Sequence, residues 1–279
     1  MNIQFSKMHG LGNDFVVIDA ISQSIDLSVE QVQFLADRHF GVGCDQLLLV
    51  EESEQENVDF KYRIFNSDGG EVEQCGNGAR CFARFVRDKG LTDKNIIRVE
   101  TVNGNIELHV DDSENVTVDM GSANFETAAL PMLDQKLDCS QHGKYSLQLD
   151  DQSVEFGAVS MGNPHAVLLV DSVESAPVNT IGPMLESHEV FPQRVNVGFM
   201  QVIDRQSLRL RVFERGVGET MACGTGACAA VAIAGQWGLV DEIVQVQLPG
   251  GTLRIEHKKD GNVFLTGDAV LVFDGQITI

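Results

Sequence analysis

One segment of this sequence occurs twice, and the repeat limits the folds that are open to the chain. Arg63 to Ala79 aligns without gaps on Arg211 to Ala227, and 8 of the 17 positions are identical. Gly12-Asn13 also matches Gly162-Asn163 at nearly the same spacing, and a short apolar strand follows each pair. A single long repeat of this kind predicts two copies of one α+β unit, arranged about a pseudo-two-fold axis.

The repeat also sets the expected domain boundaries, because no linker rich in Gly, Ser or Pro divides the chain. We expect one domain from residues 1–122 with 269–279, and a second from residues 123–268. Alternating apolar and polar residues recur in both halves and predict that strands dominate. The predicted strands cover residues 15–18, 60–65, 104–110, 115–120, 166–170, 207–213, 243–248 and 263–266.

Three segments carry helical patterns. Ser28 and Gln31 form the capping box of the first, and the second runs from near Gly78 to Gly90. The third, from about Gly226 to Gln236, is apolar on every side. Because a helix without a polar face must be enclosed by other structure, we expect this one at the centre of its domain.

Composition argues against several classes of partner. The 279 residues include 20 basic and 41 acidic side chains, which gives a net charge of -21 at pH 7. A field of this sign repels nucleic acid and anionic membranes. No apolar run approaches the roughly 20 residues that a bilayer span needs, and the sequence does not open with a basic and then apolar leader. We expect a soluble, cytoplasmic protein that binds neither nucleic acid nor membrane.

Each copy of the repeat contains a Cys-Gly-x-Gly turn, at Cys75 and at Cys223. Each turn lies between a strand and a helix, so the free N–H groups of the helix start point at whatever occupies the turn. Because such donors favour a thiolate, we expect both thiols to have a pKa below the value of about 8.5 for free cysteine.

The remaining cysteines have no catalytic pattern around them. Cys81 and Cys228 lie inside the predicted helices, where we expect buried structural thiols. Cys44 and Cys139 receive no role. No Cys-x-x-Cys pair occurs in the sequence, so we expect reduced thiols and no metal site.

Two such turns on one cleft suit a particular reaction. Inverting a carbon that carries a removable hydrogen requires a base on one face and an acid on the other, with the roles exchanged in reverse. One thiolate and one thiol of matched pKa meet this need, and two helix N-termini stabilise the charge that develops on the neighbouring carboxylate. The residues alone therefore indicate a paired-thiol amino-acid isomerase.

The sequence resembles the diaminopimelate epimerase family over essentially its whole length. The matching motifs are HGLGNDF (9–15), GCDQ (43–46), FNSDG (65–69), CGNGARC (75–81), GNPH (162–165), VN (195–196), ERG (214–216) and ACGTG (222–226). The resemblance implies two pseudo-symmetric domains, each a strongly curved, mostly antiparallel sheet wrapped around a central helix. It also implies a homodimer that interconverts LL- and meso-2,6-diaminopimelate for lysine and peptidoglycan precursor synthesis. No lysine lies in these motifs to bind pyridoxal phosphate, so we expect no cofactor.

The resemblance assigns roles to the matching positions. It implies that Cys75 donates a proton and Cys223 accepts one when the LL isomer becomes meso, and that the roles are exchanged in reverse. His165 and Glu214 match a pair that tunes the pKa of the thiols. The implied substrate contacts are Asn13, Gln46, Asn66, Gly76, Asn77, Asn163, Asn196, Glu214, Arg215, Gly224 and Thr225. Among them, an arginine suits a carboxylate, a glutamate suits an ammonium, and asparagines supply both donors and acceptors.

Three further positions have simpler interpretations. Arg63 and Arg211 recur with the repeat, and we expect them to support the scaffold. The family often carries a tyrosine near the C-terminus in its dimer contact, and Phe273 takes that place here.

Other functions stay open from the residues alone. A proline or hydroxyproline racemase also uses paired cysteines in similar turns, although it predicts a smaller and more apolar pocket. Gly224 to Ala229 fits the Gly-x-Gly-x-x-Ala pattern of dinucleotide-binding oxidoreductases, but a buried apolar strand does not precede it. A non-catalytic amino-acid-binding module would use the same donors without turnover.

Overall fold

The computed structural model describes residues 1–72, 76–102, 104–133, 137–140, 143–150 and 152–279. The chain divides into two compact units: unit 1 is Met1–Asp119 with Thr266–Ile279, and unit 2 is Met120–Leu265. The sequence analysis predicted both boundaries three residues later, with the first segment of unit 1 ending at residue 122 and its second segment beginning at residue 269. Each unit contains one copy of the repeat.

Strands hold far more of the described residues than helices do. The strands are β1 (Asn2–Gly10), β2 (Asn13–Asp19), β3 (Gln46–Glu51), β4 (Phe60–Asn66), β5 (Glu71–Val72), β6 (Ile96–Thr101), β7 (Gly104–Val110), β8 (Val116–Ser122), β9 (Asp138–Cys139), β10 (Lys144–Leu149), β11 (Gln152–Ser160), β12 (Pro164–Leu169), β13 (Asn196–Asp204), β14 (Ser207–Glu214), β15 (Gly218–Thr220), β16 (Ile243–Leu248), β17 (Gly251–His257), β18 (Asn262–Gly267) and β19 (Val270–Thr278). The helices are α1 (Ala20–Gln23), α2 (Val29–Ala36), α3 (Gly76–Asp88), α4 (Val178–Glu186) and α5 (Gly224–Gln236). Among the residues described, no helix is both long and apolar enough to span a bilayer.

The two units pair their strands in the same order. In unit 1, β1 and β2 are antiparallel, β2 and β3 parallel, β3 and β4 antiparallel, and β4 and β6 parallel. In unit 2, β11, β12, β13, β14 and β16 repeat this succession. The strand that pairs with the first strand of this series comes from a different part of the chain in each unit. In unit 1 the C-terminal strand β19 pairs with β1, whereas in unit 2 the preceding strand β10 pairs with β11. The predicted α+β class with mostly antiparallel sheets is confirmed.

Helix α5 is the centre of unit 2, as its sequence predicts. Every residue from Ala227 to Ala234 is fully buried. Helix α3 takes the matching place in the repeat, and its Phe82 ring packs edge-on against Phe60 and Tyr62 at centroid distances of 6.0 and 5.3 Å. Both helices begin two residues before the predicted starts, because the glycines of the Cys-Gly-x-Gly turns already belong to the first helical turn.

The sequence patterns identify helix α2 and miss helix α4. The capping box of Ser28 and Gln31 is present at the start of α2, as predicted. Helix α4 starts after Pro177 without a side-chain cap, and Pro183 lies inside it. Because proline interrupts helical hydrogen bonding and no capping residue marks the start, periodicity gives no clear helical signal there.

Gly78 permits the close approach of helix α3 to strand β4. A Cβ atom at this position would lie 2.6 Å from the hydroxyl oxygen of Tyr62 and 3.3 Å from side-chain atoms of Ile64 and Phe15. Tyr62 is itself buried and packed against Phe82, so it has no room to move away. The glycine is therefore required by packing rather than by backbone conformation.

We predict that Gly78→Ala lowers the free energy of unfolding by about 1 to 3 kcal/mol, because the added methyl group overpacks a closed site. Gly235→Ala is the matched control in helix α5, where the nearest atom outside the helix to a new Cβ is Nδ1 of His257, 3.5 Å away. That variant should be neutral or more stable by up to about 1 kcal/mol. Urea unfolding followed by circular dichroism measures both, and equal effects would contradict the packing argument.

Candidate active site

Four of the predicted substrate contacts of unit 1 form two hydrogen-bonded pairs. Asn77, in the first turn of α3, donates through Nδ2 to Oδ1 of Asn13 at 3.1 Å. Gln46 at the start of β3 donates to Oδ1 of Asn66 at the end of β4, at 2.9 Å. These strands place Gln46 and Asn66 directly opposite each other in register. The antiparallel pairing of β3 and β4 therefore brings two separate motifs together.

A charged network that the sequence analysis did not identify holds the Asn13 amide. Nδ2 of Asn13 donates to Oδ2 of Asp45 at 3.0 Å, and Arg38 binds both Asp45 and Asp14. Burial alone would raise the pKa of Asp14, but hydrogen bonds from Arg38 and Lys7 hold it well below its usual value. Because a carboxylate only accepts, Asp45 fixes which end of the Asn13 amide faces Asn77.

Cys75 lies outside the described residues, so its predicted catalytic role stays a prediction. Helix α3 begins at Gly76, the residue that follows it in the sequence. Arg80 is fully buried under this helix start, where it donates to the carbonyl oxygens of Gly76 and Asp268 at 3.2 and 3.0 Å. Arg80 belongs to the same sequence motif as Cys75, and its support of the turn was not predicted.

In unit 2, Cys223 is the N-cap residue of helix α5, with an extended backbone. Its side chain is almost completely buried, and Sγ lies 3.7 Å from the Thr225 hydroxyl. The carboxyl group of Glu214, at the end of β14, also hydrogen-bonds the thiol and accepts from the hydroxyl of Thr220. The last residue of β14 and the first turn of α5 thus surround one sulfur atom.

The thiol of Cys223 is less acidic than the sequence predicts. Burial and the negative charge of Glu214 raise its pKa well above the ordinary value. Hydrogen bonds from the Thr225 hydroxyl and the Gly226 N–H act in the opposite direction and are outweighed. The expectation of an acidic thiol at this helix start is therefore wrong. Loss of water and the nearby carboxylate destabilise the thiolate more than the donors of the helix start stabilise it.

His165 lies on strand β12 and is buried to 1% exposure. Burial, together with the positive charge of Arg215, lowers its pKa to about 3. The ring is therefore neutral at pH 7, so any effect of His165 on the pKa of the thiols does not come from a positive charge on the ring. Its Nε2 lies 3.0 Å from Oδ1 of Asn163, and because that oxygen only accepts, the proton of the neutral ring is on Nε2.

Both the amide oxygen and the amide nitrogen of Asn196 form hydrogen bonds within the protein. It is buried at the start of β13, where Oδ1 accepts from the backbone N–H of Arg215 at 2.9 Å and Nδ2 donates to the carbonyl of Pro164 at 3.2 Å. The guanidinium group of Arg215 donates to the carbonyl of Gln193 at 3.3 Å, and Arg215 is exposed. Asn196 thus orients the turn that carries Arg215.

Two interactions recur in both copies of the repeat. Asn163 donates through Nδ2 to the hydroxyl of Thr225 at 3.4 Å, which links the Gly-Asn turn to the helix start as the pair of Asn13 and Asn77 does in unit 1. The bidentate pairs are Arg63 with Glu71 and Arg211 with Glu219. Each pair joins a long strand, β4 or β14, to the short strand that follows it, β5 or β15. This arrangement fits the expected scaffold role of the arginines.

The structure also places the other cysteines. Cys81 and Cys228 are fully buried within α3 and α5, as predicted. Burial raises the pKa of the Cys44 thiol to about 11. The side chain of Cys139 lies outside the described residues. Within the part of the chain that the structure covers, no group of three His, Cys, Asp or Glu side chains is arranged to hold a metal ion.

The geometry of each half therefore combines a helix N-terminus, asparagine amides and, in unit 2, a thiol beside a carboxylate. The sequence profile described as diaminopimelate epimerase matches residues 5–126 and 157–272, and so both copies of the repeat. The chain belongs to the diaminopimelate epimerase family. Membership supports an isomerase of this fold.

Solved structures confirm the fold. A PhzF-family phenazine biosynthesis protein from Bacillus anthracis is 17% identical, with a TM-score of 0.68 and 100% of each chain covered. A hydroxyproline epimerase from Agrobacterium vitis is 15% identical, with a TM-score of 0.69, and the match covers 99% of this chain and 91% of that one. A predicted epimerase from Pseudomonas aeruginosa is 16% identical, with a TM-score of 0.68 and 99% of each chain covered.

The neutral state of His165 predicts acid sensitivity. Its pKa is lower in the folded protein than in the unfolded chain, so the stability it contributes is complete above about pH 6.5 and is lost as pH falls toward 3. At about pH 5 the loss should reach about 2 kcal/mol, because the unfolded state gains the proton first.

His165→Gln should remove this part of the pH dependence, because the amide of glutamine does not titrate. The measurement is the free energy of unfolding in urea at about pH 7.5 and about pH 5, compared between the wild type and the variant. An identical pH dependence in both proteins would contradict a buried neutral His165.

Proposed function

We propose that this protein is a cofactor-independent epimerase that interconverts LL- and meso-2,6-diaminopimelate by proton transfer with Cys75 and Cys223. The observation that carries the proposal is the placement of the Cys223 thiol at the N-cap of α5, against the Glu214 carboxylate, in a chain of the diaminopimelate epimerase family. The repeat supports an equivalent thiol in the other half, since helix α3 begins directly after Cys75.

The protonation state of Cys223 suits the direction from meso to LL. The raised pKa keeps a proton on its sulfur, and this proton is the one that the carbanion receives, while Cys75 takes the α-hydrogen. In the opposite direction Cys223 first passes its proton to the carboxylate of Glu214, and the sulfur then accepts the α-hydrogen as a proton. Cys75 protonates the other face and is left as the thiolate, which is the form that takes the α-hydrogen in the direction from meso to LL. Before the next turnover of the LL isomer, solvent takes the proton from Glu214 and gives one to Cys75.

The polar groups of each half suit a substrate with two zwitterionic ends. Arg215 is exposed and carries the planar guanidinium that binds a carboxylate bidentately. The asparagine amides of both units carry donor and acceptor groups, and the second N–H of Asn163, beyond its hydrogen bond to Thr225, can donate to a second carboxylate. The first-turn N–H groups of α5 add donors for the carboxylate next to the reacting carbon, where negative charge develops.

The other functions considered from the sequence receive less support. Gly224 to Ala229 lies in the first turns of α5, and the strand before it, β15, is antiparallel to β14. A dinucleotide fold requires a parallel strand there. A proline or hydroxyproline racemase shares the fold, and turnover of proline against diaminopimelate separates it from the proposal. A binding module would retain ligand affinity after both thiols are removed and would show no turnover in the wild type.

We predict that reduced, metal-free protein converts LL-diaminopimelate to the meso isomer in deuterated water. The product should carry one solvent deuterium while the remaining substrate is initially unlabelled, because two different groups remove and return the proton. Mass spectrometry of both isomers at early times measures this. Equal early labelling of the two isomers would indicate one base and contradict the two-thiol mechanism.

Variants of the thiols test the assigned residues. Cys75→Ala and Cys223→Ala should each lower kcat by at least about a hundredfold, because each removes an acid or base from one face. Cys228→Ala is the matched control, since its thiol is buried inside α5 and we expect kcat to stay within about twofold. Full activity of Cys223→Ala would exclude the mechanism.

We also propose that the chain forms a homodimer in the cytoplasm and supplies lysine and peptidoglycan synthesis, as the family resemblance implies. The proposal of a dimer is supported by strand β19, whose Val272 and Phe273 are 53% and 48% exposed. The ring of Phe273 packs edge-on against Phe5 at 6.0 Å without a hydroxyl group.

Val272→Asp should convert the dimer to a monomer, because it places a charge on an apolar contact. Sedimentation equilibrium measures the mass, and Ile203→Asp, at a similarly exposed position of unit 2, should leave it unchanged. A monomeric wild-type protein would contradict the proposed dimer.

A further inference from the structure

Glu186 is a buried carboxylate at the end of helix α4 that no sequence motif identifies. Its exposure is 4%, although acidic side chains are rarely buried without a specific partner. Its Oε1 accepts from the backbone N–H of Gly216 at 2.9 Å and from Arg194 at 3.3 Å. The carboxylate therefore reaches the segment that carries Glu214 and Arg215.

The segment bound by Glu186 is the tight turn after strand β14. The N–H of Val217 donates to the carbonyl of Glu214 at 3.1 Å, and Gly216 has a φ of +73°. Asn196 accepts from the N–H of Arg215 at 2.9 Å, and Glu186 accepts from the next N–H. Two consecutive backbone donors of the turn are thus held by buried side chains from other elements.

The packing of helix α4 explains how Glu186 reaches this turn. Gly182 lies against Phe213 of β14, where a Cβ atom would come within 2.8 Å of the phenylalanine ring. Glu186 follows four residues later on the same face of the helix. Its backbone carbonyl also accepts from the N–H of Val195, next to the start of β13, at 3.1 Å. The helix end is therefore fixed against β14, which leads to the turn, and against the start of the neighbouring strand β13.

Unit 1 closes the equivalent turn with the same backbone hydrogen bond, from the N–H of Gly69 to the carbonyl of Asn66 at 2.9 Å, but its side-chain support is local. Oδ1 of Asp68, within the turn, accepts from the N–H of Gly70 at 2.8 Å. At the position of the repeat that corresponds to Glu186, unit 1 has Ala36. The buried glutamate is thus present only in the unit whose turn has Glu214 in the place of Asn66 and Arg215 in the place of Ser67.

We propose that Glu186 is a positioning residue that holds the Glu214-Arg215-Gly216 turn so that the Arg215 guanidinium is oriented for a substrate carboxylate. The inference rests on the function proposed above. Glu214 belongs to strand β14 and its carboxyl group is also bound by Thr220, whereas Arg215 follows the strand. Loss of Glu186 should therefore displace Arg215 more than Glu214, and substrate binding should suffer more than the proton-transfer step.

The test compares Glu186→Ala with Glu186→Gln. The alanine variant should raise KM for LL-diaminopimelate roughly tenfold and change kcat by less than about threefold, because it removes a hydrogen bond to a charged acceptor. The glutamine variant keeps an oxygen for the Gly216 N–H and should stay within about threefold of the wild-type KM. An unchanged KM in a folded Glu186→Ala protein would overturn the proposal, as would an equal loss in both variants.

Arg194→Ala is the matched control, because it removes the exposed partner of Glu186 and leaves the bond to Gly216 intact. Its KM should match the wild type, and a KM as high as that of Glu186→Ala would show that the ion pair, not the turn, is what matters. Gly182→Ala should reproduce the KM effect with Glu186 present, since the added methyl group displaces α4 from Phe213.

Amide hydrogen exchange of Gly216 tests the bond without any substrate. We expect slow exchange in the wild type and in Arg194→Ala, and faster exchange in Glu186→Ala. Fast exchange of Gly216 in the wild type would overturn the proposal even if the alanine variant does not fold. Absence of diaminopimelate turnover in the wild type would instead refute the proposed function, and the exchange result would still decide whether Glu186 holds the turn.

Discussion

The full burial of helix α5 from Ala227 to Ala234 is the constraint on which the rest of unit 2 depends. A helix with no polar face is stable only inside other structure, so the strands of this unit surround it and its first turn is withdrawn from water. Cys223 caps that turn and is buried with it. The chemical character of the thiol therefore follows from the packing of the helix, since desolvation is the largest influence on its pKa.

This burial changes how the site begins a reaction. A helix N-terminus favours anions when it is open to solvent, but here the neighbouring carboxylate of Glu214 and the loss of water reverse the balance. The resting sulfur holds its proton, and His165 is neutral, with a pKa of about 3. In the proposed reaction, this thiol donates its proton directly, and the sulfur acts as a base only after the carboxylate of Glu214 has accepted that proton.

The two copies of the repeat share a framework and differ in what surrounds it. Both connect the Gly-Asn turn to the helix start by a side-chain hydrogen bond, and both brace the preceding strand with a bidentate pair of arginine and glutamate. Their supporting groups are different, because Asp45 holds the amide of Asn13 whereas His165 holds that of Asn163.

The sequence by itself determined the repeat, eight of the strands, the central position of α5 and the grouping of polar residues in motifs, because local periodicity and glycine spacing encode these features. It did not reveal α4, since Pro183 and the uncapped start conceal the helix, and so it gave no reason to consider Glu186. Only the tertiary structure decided the protonation of Cys223 and His165, the orientation of the Asn13 amide and the support of the Arg215 turn. Each of these depends on burial and on side chains distant in sequence, and neither composition nor spacing specifies how much water a group loses on folding.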